Sequence, residues 1–214
     1  MTDYFYVPPK FDKTISGCKA LCLMLCTNIG GDVWAKLYKK SLYTQYAIVQ
    51  KEEYSACEDY LLNYQLLSKA QTVSPLNFAT INHIYRSCGS LSSLAKQKNR
   101  DFLVSHHLGY LFMANYGFPT EDIKNAYYGG VGSDFLNCYS SRNSELLTKI
   151  NNRGGVNYKK IKKYLYYLSC YSRVNDRDVK LSFKRKYIYA LFGNVLIRSL
   201  TACLLKLFSL TFKK

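Results

Sequence analysis

Charged and hydroxyl side chains that could do chemistry are concentrated in three short segments between residues 33 and 92. The middle segment opens with an adjacent acidic pair, Glu58-Asp59, followed by an apolar pattern typical of a helix. Taken alone, such a pair is usually explained by the helix dipole, and an arginine beside a Ser/Gly loop by exposure to solvent. In chain order, the segments are Val33-Trp34-Ala35-Lys36-Leu37-Tyr38-Lys39-Lys40, Glu58-Asp59-Tyr60-Leu61-Leu62 and His83-Ile84-Tyr85-Arg86-Ser87-Cys88-Gly89-Ser90-Leu91-Ser92.

The order and spacing of the three segments resemble the C-terminal half of family 2 glycosyltransferases of the GT-A fold, which build bacterial surface polysaccharides. In that family a W-x-K-L-Y-[KR]-[KR] segment comes first. An E-D that opens a helix follows, and an aromatic-rich strand then ends in Y-R-x-x-G-S-[IL]-S. Residues 16–21 (SGCKAL) also resemble the family's preceding helix, whereas His83 stands where the family commonly has Tyr or Phe. The resemblance covers about residues 14–100.

The resemblance implies a chemistry for these residues. A sugar hydroxyl is a poor nucleophile near neutral pH, so an inverting transferase needs a carboxylate that takes its proton as the new bond to the anomeric carbon forms. By resemblance, Asp59 is that base, and Glu58 is its neighbour or an acceptor ligand. Arg86 would offer planar donors to the leaving diphosphate, and Lys36 would position the acceptor or hold the helix. The implied substrate-binding residues are Lys36, Arg86, Ser90 and Ser92.

The donor-binding half of such an enzyme is not recognisable in the sequence. In the family it precedes this region and ends in an Asp-x-Asp motif that holds Mg²⁺ or Mn²⁺ on the diphosphate. The 57 residues before Glu58 show no βαβ pattern and no paired aspartates. Asp176-Arg177-Asp178 matches the motif as text, but it lies on the wrong side of the Glu-Asp segment. We therefore expect a truncated or split enzyme with no metal site of its own, or a family remnant.

The net charge of +16 is unevenly distributed along the 214 residues. Residues 151–214 contain 15 Lys and Arg but only Asp176 and Asp178, a net charge of +13, whereas residues 1–150 carry only +3. Lysines alternate with tyrosines in residues 158–171, a mixture that suits either nucleic acid or an anionic bilayer. Residues 187–210 are mostly apolar and place Asn194, Arg198 and Thr201 on one helical face. This pattern favours a helix lying in the membrane interface rather than spanning it.

The cysteines and histidines indicate structural roles rather than a metal site. The N-terminus lacks the pattern of a signal peptide, so we expect a reducing, cytoplasmic compartment and free thiols. Cys18, Cys22 and Cys26 repeat at four-residue spacing, which predicts a buried helix face that uses cysteine as a small apolar residue. His106-His107 cannot share one helix face, so we expect one of the two to be buried and the other exposed.

The elements that must position these residues are mostly helical. Helices are predicted over residues 14–29 (with Ser16 as N-cap), 32–43 (with Asp32 as cap), 56–70, 93–117 (closed by Gly117), 119–128, 143–151, 156–172 and 183–212. One or two short strands are predicted in residues 71–86, and a turn at Gly129-Gly130-Val131-Gly132. The predicted fold is α/β-derived and mostly helical. It comprises an irregular lead-in (1–13), an incomplete GT-A glycosyltransferase domain (14–155) and a basic, membrane-associating helical tail (156–214).

These features together predict a glycosyltransferase-like protein of bacterial surface polysaccharide or lipopolysaccharide synthesis, peripheral on the inner face of the cell membrane. The expected partners are a nucleotide-sugar donor, a saccharide or lipid-linked acceptor, an anionic membrane surface and a separate donor-binding half. Two alternatives stay open. One is a basic nucleic-acid-binding protein, whose tail would form a groove of Lys, Arg and Tyr. The other is an inert remnant that folds poorly because a sheet edge is left open.

Overall fold

A computed structural model describes residues 11–34, 36–48, 57–76, 107–140 and 157–211. These residues are mostly helical, as predicted, with two strands of two residues each. The predicted helix over residues 143–151 and the first part of the helix predicted for 93–117 lie outside the described residues. The helices are α1 (Gly17–Leu25), α2 (Lys40–Gln45), α3 (Glu58–Lys69), α4 (Glu121–Ser140), α5 (Tyr158–Ser169), α6 (Phe183–Leu191) and α7 (Val195–Thr211). Residues 107–112 are also helical, and Met113–Tyr116 and Cys170–Arg173 form 3-10 turns.

Helix α1 lies at the centre of the hydrophobic core. Its residues from Ala20 to Leu25 are all buried, as expected for a helix that is apolar on every side. Ser16 caps its N-terminus, where the side-chain oxygen accepts the N–H of Lys19 at 3.1 Å, as the sequence predicts. Helix α1 packs against α3 and α4, so it ties the predicted acceptor region to the rest of the core.

Two short strands shorten the predicted first helix. Strand β1 (Ile15–Ser16) pairs antiparallel with β2 (Thr72–Val73), with Ile15 opposite Val73. The helix therefore begins at Gly17 rather than at residue 14. Gly17 lies directly against the carbonyl groups at the end of α3, where a Cβ would overlap the carbonyl oxygen of Ala70. Strand β2 confirms one of the predicted strands, and residues 77–86 lie outside the described residues.

The predicted turn at Gly129–Gly132 is wrong, because α4 runs without interruption from Glu121 to Ser140. These glycines are sites of close approach. A Cβ at Gly129 would overlap the ring of Tyr171, and one at Gly130 would overlap the Tyr110 hydroxyl. A Cβ at Gly132 would overlap the main chain of α5 at Leu168. Helix α4 thus lacks side chains where the neighbouring rings and α5 pack against it.

The helix predicted over residues 32–43 is also wrong, since α2 begins only at Lys40 and Asp32 caps no helix. The reason is that main-chain groups at the start of this segment bond to side chains of α3. Val33 donates its N–H to the Asp59 carboxylate, and Gly31 offers its carbonyl to the Asn63 side chain. The segment 31–38 is therefore held across the start of α3.

The helix predicted over residues 183–212 is broken into α6 and α7. Phe192, Gly193 and Asn194 separate the two helices, whose axes differ in direction by 86°. Asn194 begins α7 by accepting the N–H of Leu196 at 2.8 Å, which makes it an N-cap rather than a mid-helix residue. No single helix in the described ranges is long and apolar enough to cross a membrane. The bent pair of Phe183–Leu191 and Val195–Phe208 meets that length and composition only when taken together.

Candidate acceptor site

The acidic pair lies where the sequence places it, in the first turn of α3. Glu58 and Asp59 are both half-buried, and they complement the positive end of the helix dipole. The preceding residue, Cys57, has a left-handed backbone (φ +68°) and provides no side-chain cap. One carboxylate oxygen of Asp59, Oδ2, accepts the N–H of Val33 at 3.3 Å. Asp59 therefore faces the segment 31–38, which contains Lys36.

Lys36 lies within the electrostatic range of Asp59, from which 23 positions separate it in the sequence. The Lys36 ammonium donates to the main-chain carbonyl of Asp32. Burial lowers the pKa of Lys36, and the charges of the Asp32 and Asp59 carboxylates oppose that shift. A half-buried ammonium in the field of a carboxylate can hold a polar ligand and compensate a developing charge. The structure thus places Lys36 and Asp59 in the same region, at the start of α3.

Asn63 fixes the position of this segment, and sequence analysis does not identify it. Its side chain is fully buried and donates to the carbonyl oxygens of Gly31 at 2.5 Å and of Asp59 at 2.9 Å. Its amide oxygen accepts the hydroxyl of Tyr38, whose pKa is raised by burial. The only signal in the sequence is the four-residue spacing from Asp59, which places both on one side of α3.

The remaining predicted substrate-binding residues, Arg86, Ser90 and Ser92, lie outside the described residues. Their roles in binding the leaving diphosphate therefore stay predictions. Of the predicted site residues, the described ranges contain the two carboxylates at the start of α3 and Lys36, in the segment held across it.

The Asp-x-Asp sequence in the tail does not fit a divalent metal site. Asp176 and Asp178 both form ion pairs with the Lys19 ammonium, the Asp178 pair at 2.6 Å. Burial lowers the pKa of Lys19, but the hydrogen bonds and charges of the two aspartates outweigh it and raise the pKa. Both carboxylates thus share the ammonium of one lysine of α1. Within the described ranges, no cluster of three His, Cys, Asp or Glu residues is arranged to hold a metal ion.

His107 and Asp134 form a second polar group away from the protein surface. His107 is fully buried, and its Nδ1 lies 2.7 Å from Oδ2 of Asp134 in α4. Among the described residues, its Nε2 has no hydrogen-bond partner, and the centroid of its ring lies 5.8 Å from that of Tyr164. Burial raises the pKa of the Cys57 thiol, and the charges of Asp134, Glu58 and Asp59 add to this shift. Burial and these three carboxylates therefore keep Cys57 as a neutral thiol, which argues against a nucleophilic role.

The histidine prediction is tested for one residue only. His107 is the buried histidine that the sequence predicts, and His106 lies outside the described residues. No sequence signal points to Asp134, which is 27 positions away. The described cysteines are all free thiols; Cys22 and Cys26 are buried and Cys18 is half-buried. Comparison with protein-family models, characterised proteins and solved structures finds no match for this chain.

Proposed function

We propose that this chain is the acceptor side of a family 2 glycosyltransferase-like protein that acts in bacterial surface polysaccharide synthesis. The proposal is carried by one observation. The segment that contains Lys36 is held across the start of α3, where Asp59 and Asn63 bond to its main chain, so that the charge of Asp59 acts on Lys36. If Glu58 and Asp59 served only to complement the helix dipole, α3 would not need the segment that contains Lys36 to be held across its first turn.

In the proposed reaction, the acceptor hydroxyl attacks the anomeric carbon of a nucleotide sugar. The hydroxyl proton goes to the Asp59 carboxylate as the new C–O bond forms. The bond between the anomeric carbon and the diphosphate breaks with inversion, and its electron pair leaves with the nucleoside diphosphate. Lys36 holds the acceptor and balances the charge of Asp59. Arg86, with Ser90 and Ser92, receives the diphosphate.

The donor-binding part belongs, in this proposal, to another polypeptide or to a segment outside the described residues. The only strands in the described ranges are β1 and β2, which are too short to form a nucleotide-binding sheet. The aspartates of the Asp-x-Asp sequence are already paired with Lys19. Sugar transfer therefore needs the chain together with its donor-binding partner, and the test has to be made in the cell that produces both.

The test is deletion of the gene followed by complementation. Mass spectrometry of the lipid-linked oligosaccharides measures the result. We expect the deletion to remove one sugar residue and its extensions, and the wild-type chain to restore them. Asp59→Asn should fail to restore them, because an amide cannot accept the proton. Asp12→Asn, which alters an exposed aspartate outside the site, is the matched control and should restore them fully.

Two outcomes would count against the proposal in different ways. Unchanged oligosaccharides after deletion would reject the function. Full restoration by Asp59→Asn would leave the pathway assignment intact but reject Asp59 as the base.

A further inference from the structure

Helix α7 turns an apolar side toward solvent. Leu196, Leu200, Leu204 and Phe208 follow one another at four-residue spacing and are 73%, 67%, 55% and 58% exposed, respectively. Residues with this spacing form one continuous stripe on a helix. An exposed apolar stripe of this length is unusual on a protein surface and marks a surface that binds something.

The opposite side of α7 is fixed to the protein by a polar residue. Nη1 of Arg198 donates to the carbonyl oxygens of Phe192 and Gly193 at 3.1 and 3.2 Å. Its guanidinium also lies over the ring of Tyr166 in α5, 4.9 Å from the ring centroid. Ala202 is fully buried against α5 on the same side. These contacts set the rotation of α7, so the apolar stripe has to face outward.

Helix α6 adds a second exposed apolar surface and positive charge. Phe183 is 87% exposed and Tyr187 is 60% exposed, and they lie one turn apart. Between them, Lys184 and Arg185 are also exposed. An aromatic residue beside cationic residues is a typical combination at the level of lipid headgroups.

We propose that the exposed sides of α6 and α7 bind the surface of a bilayer that contains anionic lipid. The charge of this region identifies the occupant. Residues 179–214 contain eight Lys and Arg and no acidic residue, so the segment that carries the apolar surface contributes only positive charge. A bilayer with anionic headgroups is complementary to both properties, since its acyl chains cover the leucines and its phosphates pair with the cations.

The geometry favours binding in the plane of the membrane. The 86° bend between α6 and α7 prevents the pair from crossing a bilayer as one straight helix. Nucleic acid fits less well, because the outermost side chains of α7 are aliphatic and neither stack on bases nor pair with phosphate.

The test is flotation of the purified full chain with vesicles of phosphatidylcholine containing 30% phosphatidylglycerol. Leu200→Glu combined with Leu204→Glu should weaken partitioning about 100-fold, because each leucine that the bilayer covers contributes about tenfold to the partition coefficient. The matched control is Leu37→Glu, which changes a leucine that is 81% exposed in the front of the chain. Its partitioning should equal that of the wild type. Circular dichroism checks that each variant keeps its helices.

The charge component has its own pair of variants. Lys184→Gln with Arg185→Gln should weaken partitioning about 30-fold, since each cation near an anionic surface contributes about fivefold. The control, Lys39→Gln with Lys40→Gln, removes two exposed cations from the front of the chain and should have little effect. Vesicles of pure phosphatidylcholine should bind the wild type far more weakly than the anionic vesicles.

Several results would overturn the proposal. One is that the wild type fails to float with anionic vesicles. Another is that the variant with Leu200→Glu and Leu204→Glu floats to the same extent as Leu37→Glu. Alternatively, light scattering without lipid would show a dimer that the glutamates dissociate, which would assign the stripe to a second copy of the chain. Displacement of the vesicles by RNA would assign the surface to nucleic acid. None of these measurements depends on sugar transfer, so the membrane proposal and the proposed function can fail separately.

Discussion

Helices α3 and α7 are both rich in leucine, yet they orient their leucines in opposite directions. Helix α3 buries Leu61, Leu62, Leu66 and Leu67, whereas α7 exposes Leu196, Leu200 and Leu204. In both helices a polar side chain on the protein-facing side donates to main-chain carbonyls, namely Asn63 in α3 and Arg198 in α7. The amphipathic pattern of a helix therefore does not by itself determine which side faces inward. The main-chain carbonyl groups that one polar side chain can reach can determine that side.

The largest expected difference between the two helices is in the free energy of unfolding. Leu66→Ala should lower it by about 2–5 kcal/mol, because Leu66 is fully buried and its removal leaves a cavity. Leu200→Ala should change it by less than about 0.5 kcal/mol, since the side chain is 67% exposed. Urea denaturation without lipid measures both. Equal losses would show that α7 buries its leucines in solution.

The inward anchor of α7 should have an intermediate effect. Arg198→Met should lower the free energy of unfolding by about 2 kcal/mol, because it removes charged hydrogen bonds to two carbonyls and the contact with Tyr166. Arg198→Lys should recover less than half of this loss, since an ammonium lacks the planar fork. Arg185→Met, at an exposed arginine, is the control in the same urea titration. A loss no greater than that of the control would mean that Arg198 does not set the rotation of α7.

The smallest expected effect concerns the ion pair that joins the tail to α1. The hydrogen bond and charge of Lys19 lower the pKa of Asp178 in the folded state. The carboxylate therefore stabilises the fold above its unfolded pKa, about 3.9, and this contribution is lost as the pH falls through the lower folded value. Asp178→Asn should thus reduce the urea midpoint at pH 6 but have little effect at pH 2. Asp12→Asn, at an exposed aspartate, is the control in the same titrations, and a constant difference for Asp178→Asn across the pH range would contradict the ion-pair explanation.

Local signals made part of the fold predictable. Helix α3 is predicted almost to its boundaries, because an acidic first turn and a regular leucine spacing agree on one helix. The cap at Ser16 and the end of the helical region before Gly117 are predicted for the same reason. These features depend on residues a few positions apart, which is the range over which sequence patterns carry information.

Two of the wrong predictions depend on contacts between distant residues. Gly129–Gly132 reads as a turn, because nothing in its neighbourhood shows that Tyr110 and Tyr171 will occupy the space beside it. Residues 32–43 read as a helix, because the hydrogen bonds that hold Val33 and Gly31 to α3 cross 26 and 32 positions. In the tail the break is local, since Asn194 caps α7 through Leu196, two positions further on.

The same limits apply to the candidate site. The resemblance assigns roles to Lys36 and Asp59 because each belongs to a short recognisable segment, and the structure places the segment that contains Lys36 across the start of α3. Asn63 and Asp134 carry no such signal, since a single Asn or Asp in a helix is most often exposed to solvent. Their roles become visible only when the groups that they contact are placed around them.

The stripe of glycines in α4 has a consequence for how this chain can vary through evolution. Gly129 and Gly130 each face one particular tyrosine ring, so the glycine and its ring occupy a single shared volume. A methyl group can be added at Gly130 only if Tyr110 becomes smaller at the same time. Whichever of the two changes occurs first is destabilising, so the two positions are expected to change together or not at all. In an alignment of relatives, Gly130 and Tyr110 should therefore appear as a covarying pair rather than as two independently conserved residues.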